Sequence, residues 1–184
     1  MLDLLDMQKQ FLTTHLRPGD TAVDFTMGNG HDTVFLSKTV GPEGKVYAFD
    51  IQQRALDKTR ENLVSSGCPE NWELILASHH RAPEFVTEKI RAGVFNLGYL
   101  PGSGNKSLTT ARVTTLPAVE NAIGMLGEDA ILVVAVYPGH PEGAAEGEAL
   151  LEYLSGVSRF RYTVSQIKIV NSPTSPFFFT VESK

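Results

Sequence analysis

The chain has 184 residues, of which 42% are hydrophobic and 20% are charged, and it carries a formal net charge of −5. This size and composition are typical of a single globular domain, here spanning residues 1–184, and they exclude a disordered or low-complexity chain. The acidic balance argues against broad nonspecific binding of nucleic acid but leaves room for a local basic patch. Apolar runs such as 130–137 are far shorter than the ~20 residues that cross a bilayer.

The N-terminal residues and the cysteine count bear on cellular location. Asp3 and Asp6 stand where a signal peptide would carry basic residues, which predicts a cytoplasmic protein. Cys68 is the only cysteine, so neither an internal disulfide nor a cysteine-based zinc cluster can form. We therefore expect no membrane insertion and no metal, whereas a homodimer remains open beside a monomer.

Short β-rich runs alternate along the chain with longer segments of helical spacing. Strands are predicted at 21–26, 45–50, 72–77, 93–97 and 130–137, and helices at 32–40, 53–66, 83–90, 109–126 and 144–158. Two further β-rich stretches, 159–170 and 177–181, are joined by a turn-forming linker with no room for a helix. The sequence thus predicts an α/β fold with a doubly wound, mostly parallel sheet and a C-terminal antiparallel hairpin.

The first predicted strand ends in a glycine loop, DFTMGNGHDT from Asp24, that leads directly into a helix. Glycines in such a loop let the backbone approach a ligand closely. Asp50 ends the second predicted strand, where nucleotide-binding folds place an acid for the ribose hydroxyls. Thr33 stands where a dinucleotide fingerprint needs a third glycine, which weakens an NAD assignment. S-adenosylmethionine has no phosphate, and Asp24 would suit its ammonium group. A tight turn without a ligand is the alternative.

Polar residues also follow the third predicted strand, in the sequence Ser78-His79-His80. This position lies at the sheet edge where an adenine ring would be flanked. Adjacent histidines are a poor metal site, because their side chains diverge and no further ligand stands at suitable spacing. Ordinary polar loop residues are the alternative.

The fourth predicted strand places Asn96 at its carboxyl end, where doubly wound sheets bind ligands. Methyl transfer to an amine needs the nitrogen lone pair aimed at the methyl group, while the N–H groups need acceptors such as an Asn oxygen. Tyr99 could stack on a flat substrate. Asn96 and Tyr99 are therefore candidate catalytic residues, with a satisfied turn amide and a core tyrosine as the alternatives.

Two other enzyme classes are disfavoured in the same region. Asn105 separates Gly104 from Lys106 and so breaks the Gly-Lys-Ser/Thr adjacency of a phosphate-binding loop. Ser103 has Pro101 and Asn105 two positions away, where the Gly-x-Ser-x-Gly elbow of a serine hydrolase needs glycines.

Taken together, these motifs resemble the tRNA 5-(aminomethyl)-2-thiouridine methyltransferases, small class I methyltransferases formerly labelled rRNA methylases. The resemblance is carried by DFTMGNGHDT, AFDIQ ending at Gln52, SHH from Ser78, FNLGYLPGSGNKSLTT from Phe95 and YPGHPEG from Tyr137. It implies a Rossmann-like class I methyltransferase fold and methyl transfer from S-adenosylmethionine to the aminomethyl nitrogen of a wobble uridine in tRNA. Asn96 and Tyr99 resemble the Asn and Tyr of the Asn-Pro-Pro-Tyr element of amino methyltransferases, but Leu97 and Gly98 replace both prolines.

Besides the candidate catalytic residues Asn96 and Tyr99, the expected site has two further sets of residues. The cofactor set comprises Asp24, Thr26, Met27, Gly28, Asn29, Gly30, His31, Asp32, Asp50, Ile51, Gln52, Ser78 and His79. Arg81, Lys106 and Arg112 are the candidate tRNA contacts, because phosphate binding needs only a local basic cluster; plain solvated charge is the alternative. An rRNA methyltransferase, a small-molecule amine methyltransferase and a noncatalytic nucleotide-binding or RNA-binding module remain open as other functions.

Overall fold

The computed structural model describes residues 4–97 and 112–184. Its elements, in chain order, are α1 (Leu4–His15), β1 (Thr21–Asp24), α2 (His31–Val40), β2 (Lys45–Asp50), α3 (Gln53–Ser65), β3 (Trp72–Leu76), a 3-10 helix (His79–Glu84), β4 (Ile90–Leu97), α4 (Arg112–Met125), β5 (Leu126–Val136), α5 (Pro141–Ser155), β6 (Tyr162–Ile167) and β7 (Phe177–Ser183). The strands form one sheet in the order β3-β2-β1-β4-β5-β7-β6, in which β1 to β5 are parallel. The predicted doubly wound α/β fold is confirmed.

Side chains alternate between the two faces of the sheet, as the period of two in a strand requires. In β5, Ile131, Val133 and Ala135 pack in the core on the side of α1 and α2, whereas Leu132 and Val134 pack in the core that includes α4 and α5. Because every residue from Ala130 to Val136 is fully buried, β5 is covered on both faces. This burial explains its continuous apolar sequence.

Helix α1 is an element that the sequence analysis did not predict. Leu4, Gln8, Leu12 and Leu16 recur every four residues and are all buried, which is the pattern of one helix face. Phe11 adds an edge-to-face ring contact with Phe178 of β7, with the ring centroids 5.8 Å apart. The helix therefore covers the sheet on the face that it shares with α2.

The predicted helix over 83–90 is wrong. A 3-10 helix, His79–Glu84, occupies the start of this connection, and β4 begins at Ile90, earlier than the predicted 93. Pro83 lies inside the short helix, and its ring and missing N–H oppose a regular α-helix. Asn121 of α4 closes the packing by donating from Nδ2 to the His80 carbonyl at 2.9 Å.

The C-terminal hairpin is confirmed, with β6 shorter than the predicted 159–170 and β7 extending beyond the predicted 177–181. β6 pairs with β7 in antiparallel register, and β7 in turn pairs antiparallel with β5. The strand β7, the last in sequence order, thus lies between β5 and β6. Among the described residues, no helix is both long and apolar enough to cross a membrane.

Candidate active site

The glycine loop between β1 and α2 folds over the carboxyl ends of three strands. Phe25 N donates to the Val94 carbonyl of β4, and Met27 N donates to the Phe49 carbonyl of β2, each at 2.9 Å. Gly28 and Gly30 have φ of 50° and 81°, in the left-handed region that glycine adopts without strain. The loop is therefore held in one shape at the edge where parallel sheets bind ligands.

Helix α3 packs tightly behind this loop. A Cβ on Gly30 would lie 2.7 Å from Thr59 Cγ2, so a larger residue would collide with α3. Asn62 Nδ2 donates to the Asn29 carbonyl at 2.7 Å, and Met27 is buried in the small core that includes Leu56. Met27 and Asn29 thus support the loop from within.

Asp24, expected beside the cofactor's ammonium group, is 1% exposed. Its Oδ1 accepts from Thr26 N at 3.1 Å and its Oδ2 accepts from Thr33 Oγ1 at 2.6 Å. Burial and the neighbouring Asp32 carboxylate raise the pKa of Asp24 to about 7. Asp24 therefore ties the loop to α2, and its expected contact with the cofactor stays a prediction.

Asp50 stands at the end of β2, as expected. Its Oδ2 accepts from Gly28 N at 3.1 Å and its Oδ1 accepts from Gln52 N at 2.9 Å. Burial raises the pKa of this carboxyl, although its backbone hydrogen bonds favour the ionised form. Ile51 beside it is 60% exposed. An acid followed by an uncovered apolar side chain can bind ribose hydroxyls and cover a flat base.

His79 is the first residue of the 3-10 helix that follows β3. Its ring is 8% exposed and meets Phe95 edge-on, with ring centroids 5.6 Å apart. Burial lowers its pKa to about 4, so the ring is neutral. Nε2 is buried without a hydrogen-bond partner in the described part of the chain. Ser78 Oγ, in contrast, is paired with His80 Nδ1 at 2.9 Å.

These groups fit the expected S-adenosylmethionine. The glycine loop leaves the backbone open to a ligand, Asp50 supplies acceptors for ribose hydroxyls, and the orphaned Nε2 of His79 is a polar atom that a bound purine could satisfy. We expect Gln52 and Ile51 to border the same pocket. Among the described residues, no cluster of three or more histidine, cysteine or acidic side chains could hold a metal ion.

Asn96 lies at the end of β4, in contact with the helix that follows the glycine loop. Its backbone N–H donates to Thr26 Oγ1 at 2.7 Å. Its side-chain Nδ2 donates to Asp32 Oδ2 at 2.5 Å, and its Oδ1 accepts from the Tyr137 hydroxyl at 3.3 Å. The amide is therefore fixed in orientation and does not merely terminate a turn.

Two residues at this point were not assigned a role from the sequence. Tyr137 follows β5 within the YPGHPEG segment, but nothing in that segment predicts its bond to Asn96. Burial raises the pKa of the Asp32 carboxyl, and Lys9 on α1 opposes this rise together with the Asn96 hydrogen bond and His31. Lys9 could be found only once α1 was recognised.

The three predicted tRNA contacts are placed differently. Arg81 lies exposed on the 3-10 helix, where its guanidinium contacts Glu84 at 2.6 Å, so its charge is partly balanced. Arg112 is the first residue of α4. Lys106, the third predicted contact, lies outside the described residues, as does Tyr99, the second catalytic candidate.

Comparison with known proteins places this geometry among methyltransferases. Residues 46–182 match the family described as "Putative rRNA methylase". The chain is 37% identical over 171 residues to a chloroplastic tRNA (mnm(5)s(2)U34)-methyltransferase of Arabidopsis thaliana, and the match covers 88% of this chain and 62% of that protein. The chain therefore spans less than two thirds of this curated relative.

Two solved structures cover all of the chain and 99% of their own. The putative rRNA-methylase from Clostridium thermocellum is 33% identical with a TM-score of 0.96. SMU.1697c, a putative methyltransferase from Streptococcus mutans in complex with SAH, is 38% identical with a TM-score of 0.90. SAH is the demethylated product of S-adenosylmethionine, so the expected cofactor agrees with the ligand of a structural relative.

Proposed function

This chain belongs to the Putative rRNA methylase family of S-adenosylmethionine-dependent methyltransferases, and we propose that it methylates the aminomethyl nitrogen of 5-aminomethyl-(2-thio)uridine at the tRNA wobble position. The tRNA substrate is supported by the name of the Arabidopsis relative. The nitrogen acceptor is supported by the Asn96 side chain, which Asp32 and Tyr137 hold at the end of β4. That fixed amide is the observation on which the proposal depends.

The site would divide its work between two groups of residues. When bound, S-adenosylmethionine supplies an electrophilic methyl group on a sulfonium. Asp50 and the loop around Gly28 hold the nucleoside portion, and Asn96 offers a polar contact to an amine that approaches from the β4 side. Holding both reactants in line converts an encounter in solution into a reaction within one complex. Orientation is thus the main contribution of Asn96.

The substrate is tested by incubating purified protein and S-adenosylmethionine with tRNA from cells that lack this gene. Nucleoside mass spectrometry should show one added methyl group on the aminomethyl-2-thiouridine. Parallel incubations with rRNA and with small primary amines cover the other acceptors. Methylation confined to rRNA or to the free amines would refute the proposed substrate, and cofactor binding without any methyl transfer would favour a noncatalytic binding module.

Substitution at Asn96 tests the chemistry. Loss of one preorganised polar contact costs about 2.7 to 4 kcal/mol of transition-state stabilisation, so Asn96→Ala should lower turnover roughly a hundred- to a thousandfold. Affinity for S-adenosylmethionine, measured by calorimetry on the same preparation, should change far less. An alanine variant that turns over at the wild-type rate would remove Asn96 from the acceptor site.

Asn96→Asp keeps an acceptor oxygen and adds a negative charge beside Asp32. A second carboxylate next to that of Asp32 should raise the pKa of a bound amine further, and so hold more of the amine in its protonated, unreactive form at neutral pH. Single-turnover rates with saturating cofactor should therefore recover partly as the pH rises. A rate that does not respond to pH would contradict the role of Asn96 beside the amine.

A further inference from the structure

Asp32 has the contacts of an acceptor-site residue, although its position in the glycine motif suggested the cofactor. It lies in the first turn of α2 and is half-buried. One carboxylate oxygen, Oδ2, accepts from Asn96 Nδ2 at 2.5 Å. Within residues 4–97 and 112–184, no hydrogen bond reaches Oδ1, whereas Oδ2 is engaged by Asn96.

The charged and titratable groups around Asp32 come from four elements. Lys9 on α1 and the adjacent His31 favour its ionised form. Asp24 at the end of β1 is a second carboxylate, and Tyr137 beyond β5 also interacts electrostatically with Asp32. Asp24 is fully enclosed and both its oxygens are engaged. Asp32 is therefore the member of the acidic pair that can meet a ligand.

We propose that Asp32 binds the substrate's ammonium group and takes one proton from it before methyl transfer, a role that rests on the function proposed above. A primary amine of this type is protonated near neutral pH and then has no free lone pair. A carboxylate beside it recognises the cation and is also a proton acceptor within hydrogen-bond reach. Because burial raises the pKa of Asp32 above the usual range of an aspartate, its carboxylate is a stronger base than one in water.

One ammonium N–H bond breaks, its proton joins an Asp32 oxygen, and the electron pair stays on nitrogen. The neutral amine then forms an N–C bond to the methyl carbon while the C–S bond breaks and its electrons remain on sulfur. The positive charge passes from the sulfonium to the secondary ammonium product, and Asp32 returns its proton to water. Asn96 keeps the Asp32 side chain in position throughout.

Asp32→Asn tests this role because it keeps the side-chain size and an acceptor oxygen but removes the charge. Asp129→Asn is a matched control: it removes one aspartate charge from β5, at a residue whose φ of 51° asparagine also tolerates. Both variants and the wild type are assayed in single turnover on aminomethyl-2-thiouridine tRNA between pH 6 and 10. General base catalysis typically contributes ~10²- to 10⁴-fold, so the Asp32→Asn rate should fall roughly a hundredfold or more at pH 7. This loss should narrow as the pH rises.

A binding measurement supplies a readout that does not require turnover. With S-adenosylhomocysteine present, the wild type should prefer tRNA that carries the aminomethyl group over tRNA that lacks it, and Asp32→Asn should lose this preference. Its affinity for S-adenosylmethionine should stay within about threefold of wild type, since the proposed contact is with the amine.

Three results would overturn the role of Asp32. They are a loss of rate by the same factor at every pH, an unchanged rate at pH 7, and a large loss of cofactor affinity. If the wild type methylates the tRNA in the same assay, any of these three results contradicts the role of Asp32 but not the proposed function. A wild type that transfers no methyl group to this tRNA would overturn the proposed function and the role of Asp32 together.

Discussion

The amide of Gly28 donates to the carboxylate of Asp50 at 3.1 Å, and this bond joins the loop after β1 to the end of β2. The Asp50 side chain thus has two roles in the proposed cofactor site. It fixes the backbone at a glycine with φ of 50°, and it presents acceptors to the ribose. Its removal should affect the loop and the ligand together.

We expect Asp50→Ala to weaken S-adenosylmethionine binding roughly ten- to a hundredfold, because hydrogen bonds to a charged group contribute about 1.5 to 3 kcal/mol. Isothermal titration measures the change. Asp57→Ala, which removes an exposed carboxylate from α3, is the control and should bind normally. An Asp50→Ala protein that is folded and binds with wild-type affinity would show that Asp50 is not the ribose ligand.

Tyr137→Phe should lower turnover by roughly two- to tenfold, since it removes one hydrogen bond of about 0.5 to 1.5 kcal/mol that orients Asn96. The effect should lie in the single-turnover rate and leave cofactor affinity unchanged. Tyr47→Phe loses a side-chain hydrogen bond to Glu88 on β2, which β1 separates from Asn96 on β4, and should keep full activity. Equal rates for Tyr137→Phe and the wild type would show that the Tyr137 hydroxyl does not contribute to methyl transfer.

Asp24 should make the protein less stable as the pH rises. Its pKa is about 7 in the folded state against 3.8 as the ordinary value, so between these limits the folded chain keeps a proton that the unfolded chain releases. In that window this group alone lowers the free energy of unfolding by about 1.4 kcal/mol per pH unit. The raised pKa values of Asp32 and Asp50 act in the same direction, and the lowered pKa of His79 acts oppositely.

Asp24→Asn isolates this contribution. Urea unfolding of the wild type and the variant is measured at intervals from pH 4 to pH 7. As the pH rises, the unfolding free energy of the wild type should fall relative to that of the variant. Asp57→Asn on the exposed surface should show no such trend. Parallel stability curves for Asp24→Asn and the wild type would mean that Asp24 titrates normally.

Binding of substrate tRNA should fall steeply with salt and depend on Lys106 and Arg112, whereas cofactor affinity should be almost independent of salt. Replacing both residues with alanine should reduce the salt slope. The control variant combines Lys38→Ala and Lys45→Ala. It removes two charges from the end of α2 and the start of β2, away from the carboxyl ends of the parallel strands, and should leave the salt slope unchanged. An unaltered slope in the Lys106 and Arg112 variant would place the RNA surface elsewhere.

The sequence predicted the elements whose signals are local. β2 occupies the predicted residues 45–50, and its end correctly placed Asp50 beside the glycine loop. The predicted helix over 83–90 failed because burial of Ala82 and Val86 between the sheet and α4 gives an apolar spacing that resembles a helix. Helix α1 was missed because its buried face carries the polar Gln8 between Leu4 and Leu12, which weakens the apolar periodicity that indicates a helix.

The candidate site was predicted as a set of residues but not as a set of contacts. Glycine spacing and strand ends locate Asp24, Asp32 and Asn96 at one edge of the sheet. They do not show that Asp24 turns inward to Thr33 while Asp32 turns to Asn96. The two aspartates differ only in which neighbours the fold gives them, and that difference depends on residues far apart in the chain.

The position of β7 has a consequence for how the protein is made. β7 lies between β5 and β6, so β6 has no strand to pair with until residues 177–183 have been synthesised. Until then β5, whose residues 130–136 are buried in the finished sheet, has no partner along the edge that β7 will cover. During synthesis that apolar edge is a site where another chain could pair. Cells that make this protein quickly should therefore depend on chaperones to cover β5 until Phe178 and Phe179 have left the ribosome.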